Sequence, residues 1–208
     1  MRTQTKVEEQ LNAISHGIGA LLGIAGLILL ITLREKDAEW SLFSVLVYGL
    51  SIIILFTAST LYHSFTDEKK KHIFRIIDHI SIYLLIAGSY TPVLLLSLNE
   101  SLGWTLFWIV WGIAAFGVVI KTFFTGRFEL FSTLLYLVMG WLIVFDFSNV
   151  SEALGPNGVL LLFAGGLCYT VGIIFYVIER IPYNHVIWHL FVLGGAICHF
   201  LMILLYVV

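Results

Sequence analysis

The sequence predicts an all-α protein, a bundle of seven transmembrane helices forming one domain over residues 1–208. Three observations carry this. The chain is 60% hydrophobic and only 12% charged, whereas a soluble domain is about 45–50% apolar and about 25% charged. Its apolar residues gather into seven runs near the length of about 20 residues that a ~30 Å hydrocarbon core requires. None of these runs alternates as a barrel strand would. No polybasic tail or nucleic-acid motif accompanies them, so no nucleic-acid partner is expected.

The first run covers Leu11 to Leu33 and is too long for the apolar part of a cleavable signal. The second runs from Trp40 to Phe65, the third from Ile76 to Leu98, and the fourth from Leu102 to Ile120. The fifth, Leu130 to Phe147, is short and ends at Asp146. The sixth is Val159 to Ile178 and the seventh His185 to Val207. The links are short, which forces antiparallel neighbours. The longest is Ser148 to Gly158, where Gly155-Pro156-Asn157-Gly158 signals a turn. Pro92 should kink the third span. Gly17, Gly19 and Gly23 offer close helix approach in the first. Cys168 and Cys198 lack a Cys-x-x-Cys spacing and read as packing residues. No soluble domain is expected before or after the membrane part.

Lys and Arg set the orientation. With the N-terminus inside, the inner side holds nine of them: Arg2, Lys6, Lys69, Lys70, Lys71, Arg75, Lys121, Arg127 and Arg180. The outer side holds two, Arg34 and Lys36. The expectation is N-inside and C-outside, the opposite of a G-protein-coupled receptor. A retinal protein is also excluded, because such a protein needs a lysine in its last span and the final lysine here is Lys121.

The ionisable residues in or beside the spans are His16, His63, Asp78, His79, Asp146, His185, His189 and His199. Such residues are costly in lipid and mark functional sites. His185 and His189 stand four apart, one turn above the other, about 6 Å along one helix face. Counting spans puts His16, His63, Asp78, His79 and this pair at the same leaflet, whichever way the protein is mounted. Neutral imidazole is the commonest metal ligand. Three protein ligands with one open position form the usual catalytic zinc pattern, and His63, His185 and His189 supply such a triad. The all-nitrogen set, together with the family resemblance given below, favours Zn²⁺ over Fe²⁺ or Mn²⁺. Asp78 could orient a ligand imidazole or hold the water at the ion, although Arg75, three residues back, could also pair with it. Ser59 lies one turn from His63 and could donate to Asp78 or to substrate. His79 reads as structural, and Asp146 as interfacial. His199, about 15 Å beyond His189, reads as a partner for another helix.

Ser59-Thr60-Leu61-Tyr62-His63, Arg75-Ile76-Ile77-Asp78-His79 leading to Ala87-Gly88-Ser89-Tyr90-Thr91-Pro92, and His185-Val186-Ile187-Trp188-His189 together form a pattern. It resembles the haemolysin III family, the bacterial branch of the progestin and adipoQ receptors that include the adiponectin receptors. Asn12 and His16 belong to the same resemblance, which covers nearly the whole chain. The resemblance implies a zinc ion held by His63, His185 and His189, with Asp78 and Ser59 close by in a catalytic role. It implies a multi-pass protein of the bacterial plasma membrane, and a kinship with alkaline ceramidases, which cleave lipid amides. The receptors' long N-terminal extension has no counterpart, so receptor signalling does not carry over.

The first functional expectation is therefore a zinc-dependent hydrolase of a lipid amide or ester, with membrane lipids of the inner leaflet as partners and membrane-lipid homeostasis as its setting. A second, from another class, is a non-enzymatic membrane-state regulator whose zinc is structural, with Asp78 or His79 closing the ligand set. A third is a cytolysin or channel, which requires a continuous polar path.

Overall fold

The computed structural model describes residues 4–208, and Arg2 of the basic set lies outside them. Every regular element among the described residues is helical. They are α1 (Lys6–Leu33), α2 (Ser41–Ser64), α3 (Glu68–Pro92), α4 (Gly103–Phe124), α5 (Glu129–Gly140), α6 (Phe147–Val177) and α7 (Asn184–Tyr206). A π turn, Val93–Ser97, extends α3, and a 3₁₀ turn, Leu142–Asp146, joins α5 to α6. Among the described residues, six stretches of helix are long and apolar enough to cross a membrane.

One of the six, Glu129–Val177, has 49 residues. A straight helix of that length would measure about 74 Å, more than twice a hydrocarbon core. It is not straight. Gly155 takes φ 62° and ψ 177°, a conformation that costs glycine little, and Pro156 follows it. Contacts on either side then run antiparallel. Phe147 meets the Phe163 ring at 5.7 Å, and Trp141 Nε1 donates to Thr170 Oγ1 at 3.2 Å. The expected loop Ser148–Gly158 is instead helical on both sides of this one residue. Its polar residues read as loop but act within the helix: Asn149 Nδ2 donates to the Asp146 carboxylate at 2.6 Å.

Two starts also come earlier than the apolar runs suggest. α1 begins at Lys6 because Thr5 and Glu8 form a capping box, with Thr5 N donating to Glu8 Oε2 at 2.8 Å. α3 begins at Glu68, where Asp67 accepts from Lys70 N at 2.9 Å. The helix therefore carries polar first turns beyond the apolar runs, and those of α1 matter below. At Pro92 the helix widens rather than breaks: Leu98 N bonds Val93 O at 3.1 Å, the five-residue step of a π turn.

The core is apolar and spread over all the helices, with Tyr48, Phe56, Tyr83, Leu94, Val110, Met139, Leu154 and Ile203 almost fully buried. α1 approaches α2 through its glycines. A Cβ on Gly19 would stand 2.7 Å from the Phe56 ring, and one on Gly23 2.8 Å from Ile52. Large apolar residues such as Leu21, Trp108, Phe145 and Leu205 face outward, as lipid contact demands.

Candidate metal centre

Three side chains from two helices meet at one end of the bundle. His63 ends α2, and His185 and His189 occupy the first two turns of α7. One nitrogen from each lies within 4.8 Å of the others. Ring centroids stand 4.7–5.1 Å apart, closest for His185 and His189. His63 and His189 are buried and His185 partly so. Nitrogens bound tetrahedrally at about 2.1 Å lie about 3.4 Å apart, so closing this set on one ion takes side-chain shifts of about 1 Å.

The hydrogen bonds show which nitrogens are free. His63 Nδ1 lies 2.6 Å from Glu9 Oε2. A carboxylate can only accept, so Nδ1 carries the proton. His63 Nε2 is left buried without a partner, a costly state for a lone pair unless something fills it. His189 Nδ1 lies 3.3 Å from the Asn12 carbonyl oxygen, which likewise only accepts, so its Nε2 is also free for an electrophile. The donor chemistry and the orphaned nitrogen fit a divalent ion.

Local backbone holds α7 in place. Tyr183, just before α7, sits at φ 56°, a left-handed position that costs a non-glycine residue about 1–3 kcal/mol. Its N–H donates to Glu8 Oε1 at 3.2 Å. Asn184 Nδ2 donates to Phe175 O at 2.9 Å, tying α7 to the end of α6.

The other expected residues divide. Ser59 is buried one turn before His63, next to the Asp78 carboxyl group, although its hydroxyl makes no well-formed hydrogen bond. Asp78 is buried too, and among the described residues it bonds none of the three imidazoles. The carboxylate that bonds one of the three imidazoles is that of Glu9. Arg75 reaches Glu129 Oε1 at 3.7 Å, and so does His79 Nδ1. His199 Nε2 contacts Leu162 O at 3.2 Å, on another helix as expected. Asp146 accepts from Ser101 Oγ at 2.6 Å and from Leu102 N at 3.2 Å, so it fastens the turn before α4.

Sequence reasoning missed three features. Glu9 precedes the first apolar run, where hydropathy gives no reason to single it out. His16 stacks flat on His189, with centroids 3.6 Å apart and planes 9° off parallel. Its two nitrogens are buried without partners. Lys121, counted only among the inner-side charges, has a fully buried side chain, and its Nζ lies 2.7 Å from Glu129 Oε2.

Two hollows lie near the histidines, and one of them reaches His185. A largely apolar cavity runs between α2, α3, α5, α6 and α7, past Leu55, Ile86, Tyr136, Tyr176, Trp188 and Val192. A second hollow is lined by polar groups including Glu129, Asn184 and His185. Thr133 and Tyr176 line both. The second hollow reaches His185 directly, and the first comes near it through Tyr176, whose ring centroid lies 6.1 Å from that of His185.

The profile of the "Haemolysin-III related" family matches residues 4–200. "Hemolysin-3" of Bacillus cereus is 49% identical over 206 residues, covering 99% of this chain and 94% of that protein. "Hemolysin-3 homolog" of Bacillus subtilis (strain 168) is 48% identical over 202 residues, covering 97% of this chain and 95% of that one. The human "Monocyte to macrophage differentiation factor" is 31% identical over 205 residues, covering 94% of this chain and 83% of its own. A match along nearly the whole length, on a helical bundle with these three imidazoles at one end, makes this chain a member of the haemolysin-III related family.

Proposed function

We propose that this chain is a zinc-dependent membrane hydrolase that cleaves a lipid amide or ester. The observation that carries the reading is the buried, unpartnered Nε2 of His63 among three imidazoles near an apolar cavity. His63, His185 and His189 would hold the ion. Bound zinc supplies a Lewis acid for the substrate carbonyl and lowers the pKa of a water towards about 7.

The chain's own residues do the rest. The apolar cavity takes the acyl chain, and the polar hollow beside His185 takes the head group and admits water. Asp78 accepts a proton from the attacking water and returns it to the leaving nitrogen or oxygen. Water adds across the amide or ester bond, giving a carboxylate and an amine or an alcohol. Ser59, beside Asp78, steadies the carboxyl group or donates to the substrate.

We further propose that the 49-residue stretch crosses the membrane twice, turning at Gly155, which gives seven crossings. The basic residues then put the N-terminus in the cytoplasm and the C-terminus outside a bacterial plasma membrane, and substrate enters from the inner leaflet. A reporter fused after Val208 should be active only on the outer side.

The number of ligands favours this over a purely structural zinc. Among the described residues the group has three members, leaving a position open, whereas structural sites are closed by a fourth. The relatives' names raise a cytolytic reading, but the hollow leading away from the site is mostly apolar, and a conducting path needs polar lining. The test is purified protein with its zinc measured and a panel of lipid amides and esters supplied. Turnover that His189→Ala abolishes supports the hydrolase. Stoichiometric zinc without turnover on any of the panel contradicts it, and conductance in liposomes favours the channel.

A further inference from the structure

The first turns of α1 contribute no ligand, yet they touch the backs of two ligand imidazoles. Glu9 Oε2 takes the Nδ1 proton of His63 at 2.6 Å. One turn on, the Asn12 carbonyl faces His189 Nδ1 at 3.3 Å. Glu9 is itself held, because its other oxygen accepts from Lys71 Nζ at 2.6 Å. The chain Lys71–Glu9–His63 therefore spans three helices, with each member fixed by the next.

We infer that Glu9 is the positioning residue of the metal centre: its carboxylate fixes the tautomer and ring orientation of His63, so that Nε2 faces the ion. This rests on the metal reading above. The physical reason is general. A ligand histidine whose far nitrogen donates to a carboxylate is locked in one tautomer and made more basic, and loss of that partner costs about 10–100-fold in metal affinity. Without Glu9, the buried Nδ1–H of His63 would have no acceptor. The ring could then flip, or take the other tautomer and lose its lone pair at Nε2. Lys71 keeps the carboxylate from turning away.

The test uses the full chain in detergent, stripped of metal and titrated with Zn²⁺ against a competing chromophoric chelator. Wild type is compared with Glu9→Ala and the isosteric Glu9→Gln, whose amide oxygen still accepts a hydrogen bond but carries no charge. The expected result is a loss of affinity of about 10–100-fold for Glu9→Ala and a smaller loss for Glu9→Gln. The metal-free melting temperature of Glu9→Gln should match wild type, and the Co²⁺ absorption bands should shift in both variants, which a merely structural role would not produce. Wild-type affinity and unshifted Co²⁺ bands in both variants would overturn the inference and leave the metal reading intact. Failure of the wild-type chain to bind Zn²⁺ would overturn both.

Discussion

The ion pair between Lys121 and Glu129 makes a prediction that owes nothing to metal. The Lys121 side chain is fully buried, and its ammonium has Glu129 Oε2 at 2.7 Å. Glu129 is less dependent on it, since Gly126 N donates to Oε1 at 3.0 Å and Arg75 approaches at 3.7 Å. Removing one partner of a buried pair leaves an uncompensated charge and costs about 3–5 kcal/mol. Glu129→Ala, which strands the lysine, should therefore destabilise more than Lys121→Met, which leaves Glu129 its other donors. For a chain of this size 1 kcal/mol shifts the melting temperature by about 2–4 °C, so Glu129→Ala should lower it by roughly 6–20 °C. The double variant Lys121→Met/Glu129→Leu removes both charges and should recover much of the loss. The assay is thermal unfolding of the four proteins in one detergent, followed by tryptophan fluorescence. A double variant no more stable than Glu129→Ala, or Lys121→Met as damaging as Glu129→Ala, would refute the reasoning.

Three further outcomes follow from the same structure. The Tyr90 phenol donates to Gly140 O at 2.8 Å and accepts from Ile143 N at 3.0 Å, closing the break between α5 and the 3₁₀ turn. Tyr90→Phe should cost about 1–3 kcal/mol by leaving that buried backbone unsatisfied, read as a lower melting temperature with unchanged metal content. Asp78→Asn should keep its metal while lowering turnover by about 10²–10⁴-fold, the usual contribution of a general base. Loss of metal together with activity would instead make Asp78 a ligand. Stripping the metal should lower the melting temperature, since a ligand at 1,000 times its Kd stabilises by about 4.1 kcal/mol. An identical melting curve before and after chelation would show that no metal was held.

Much of the site was readable because its signals are helical. The i, i+4 spacing of His185 and His189 fixes one face whatever the packing, and counting spans puts His63 at the same end. The orienting groups were hidden for a different reason. Glu9 lies outside the apolar run, and hydropathy treats such a residue as solvated. The capping box of Thr5 and Glu8 was nonetheless visible as Thr-x-x-Glu. It starts the helix at Lys6 and places Glu9 seven residues, two turns, before His16 on the same face. Lys121 was counted with the inner charges because a charge tally carries no depth. Its partner lies eight residues on, beyond a turn in which Gly126 takes φ 85°, and only the folded hairpin brings the two together. At Gly155 the turn falls where the sequence signals it but is shorter than its polar flank suggests, since Asn149 bonds Asp146 at the start of the helix. The stacking of His16 on His189 left no sequence trace beyond spacing, because it depends on how closely the Gly19 and Gly23 face lets α1 approach the bundle.

The central claim is that imidazoles from α2 and α7 grip one ion. Metal analysis of the purified wild-type chain beside His63→Ala and His185→Ala tests it most directly. The account predicts one zinc per chain in wild type and a large loss in each variant, although the two residues lie on different helices. Wild type without metal, or zinc retained in full by both variants, would contradict it.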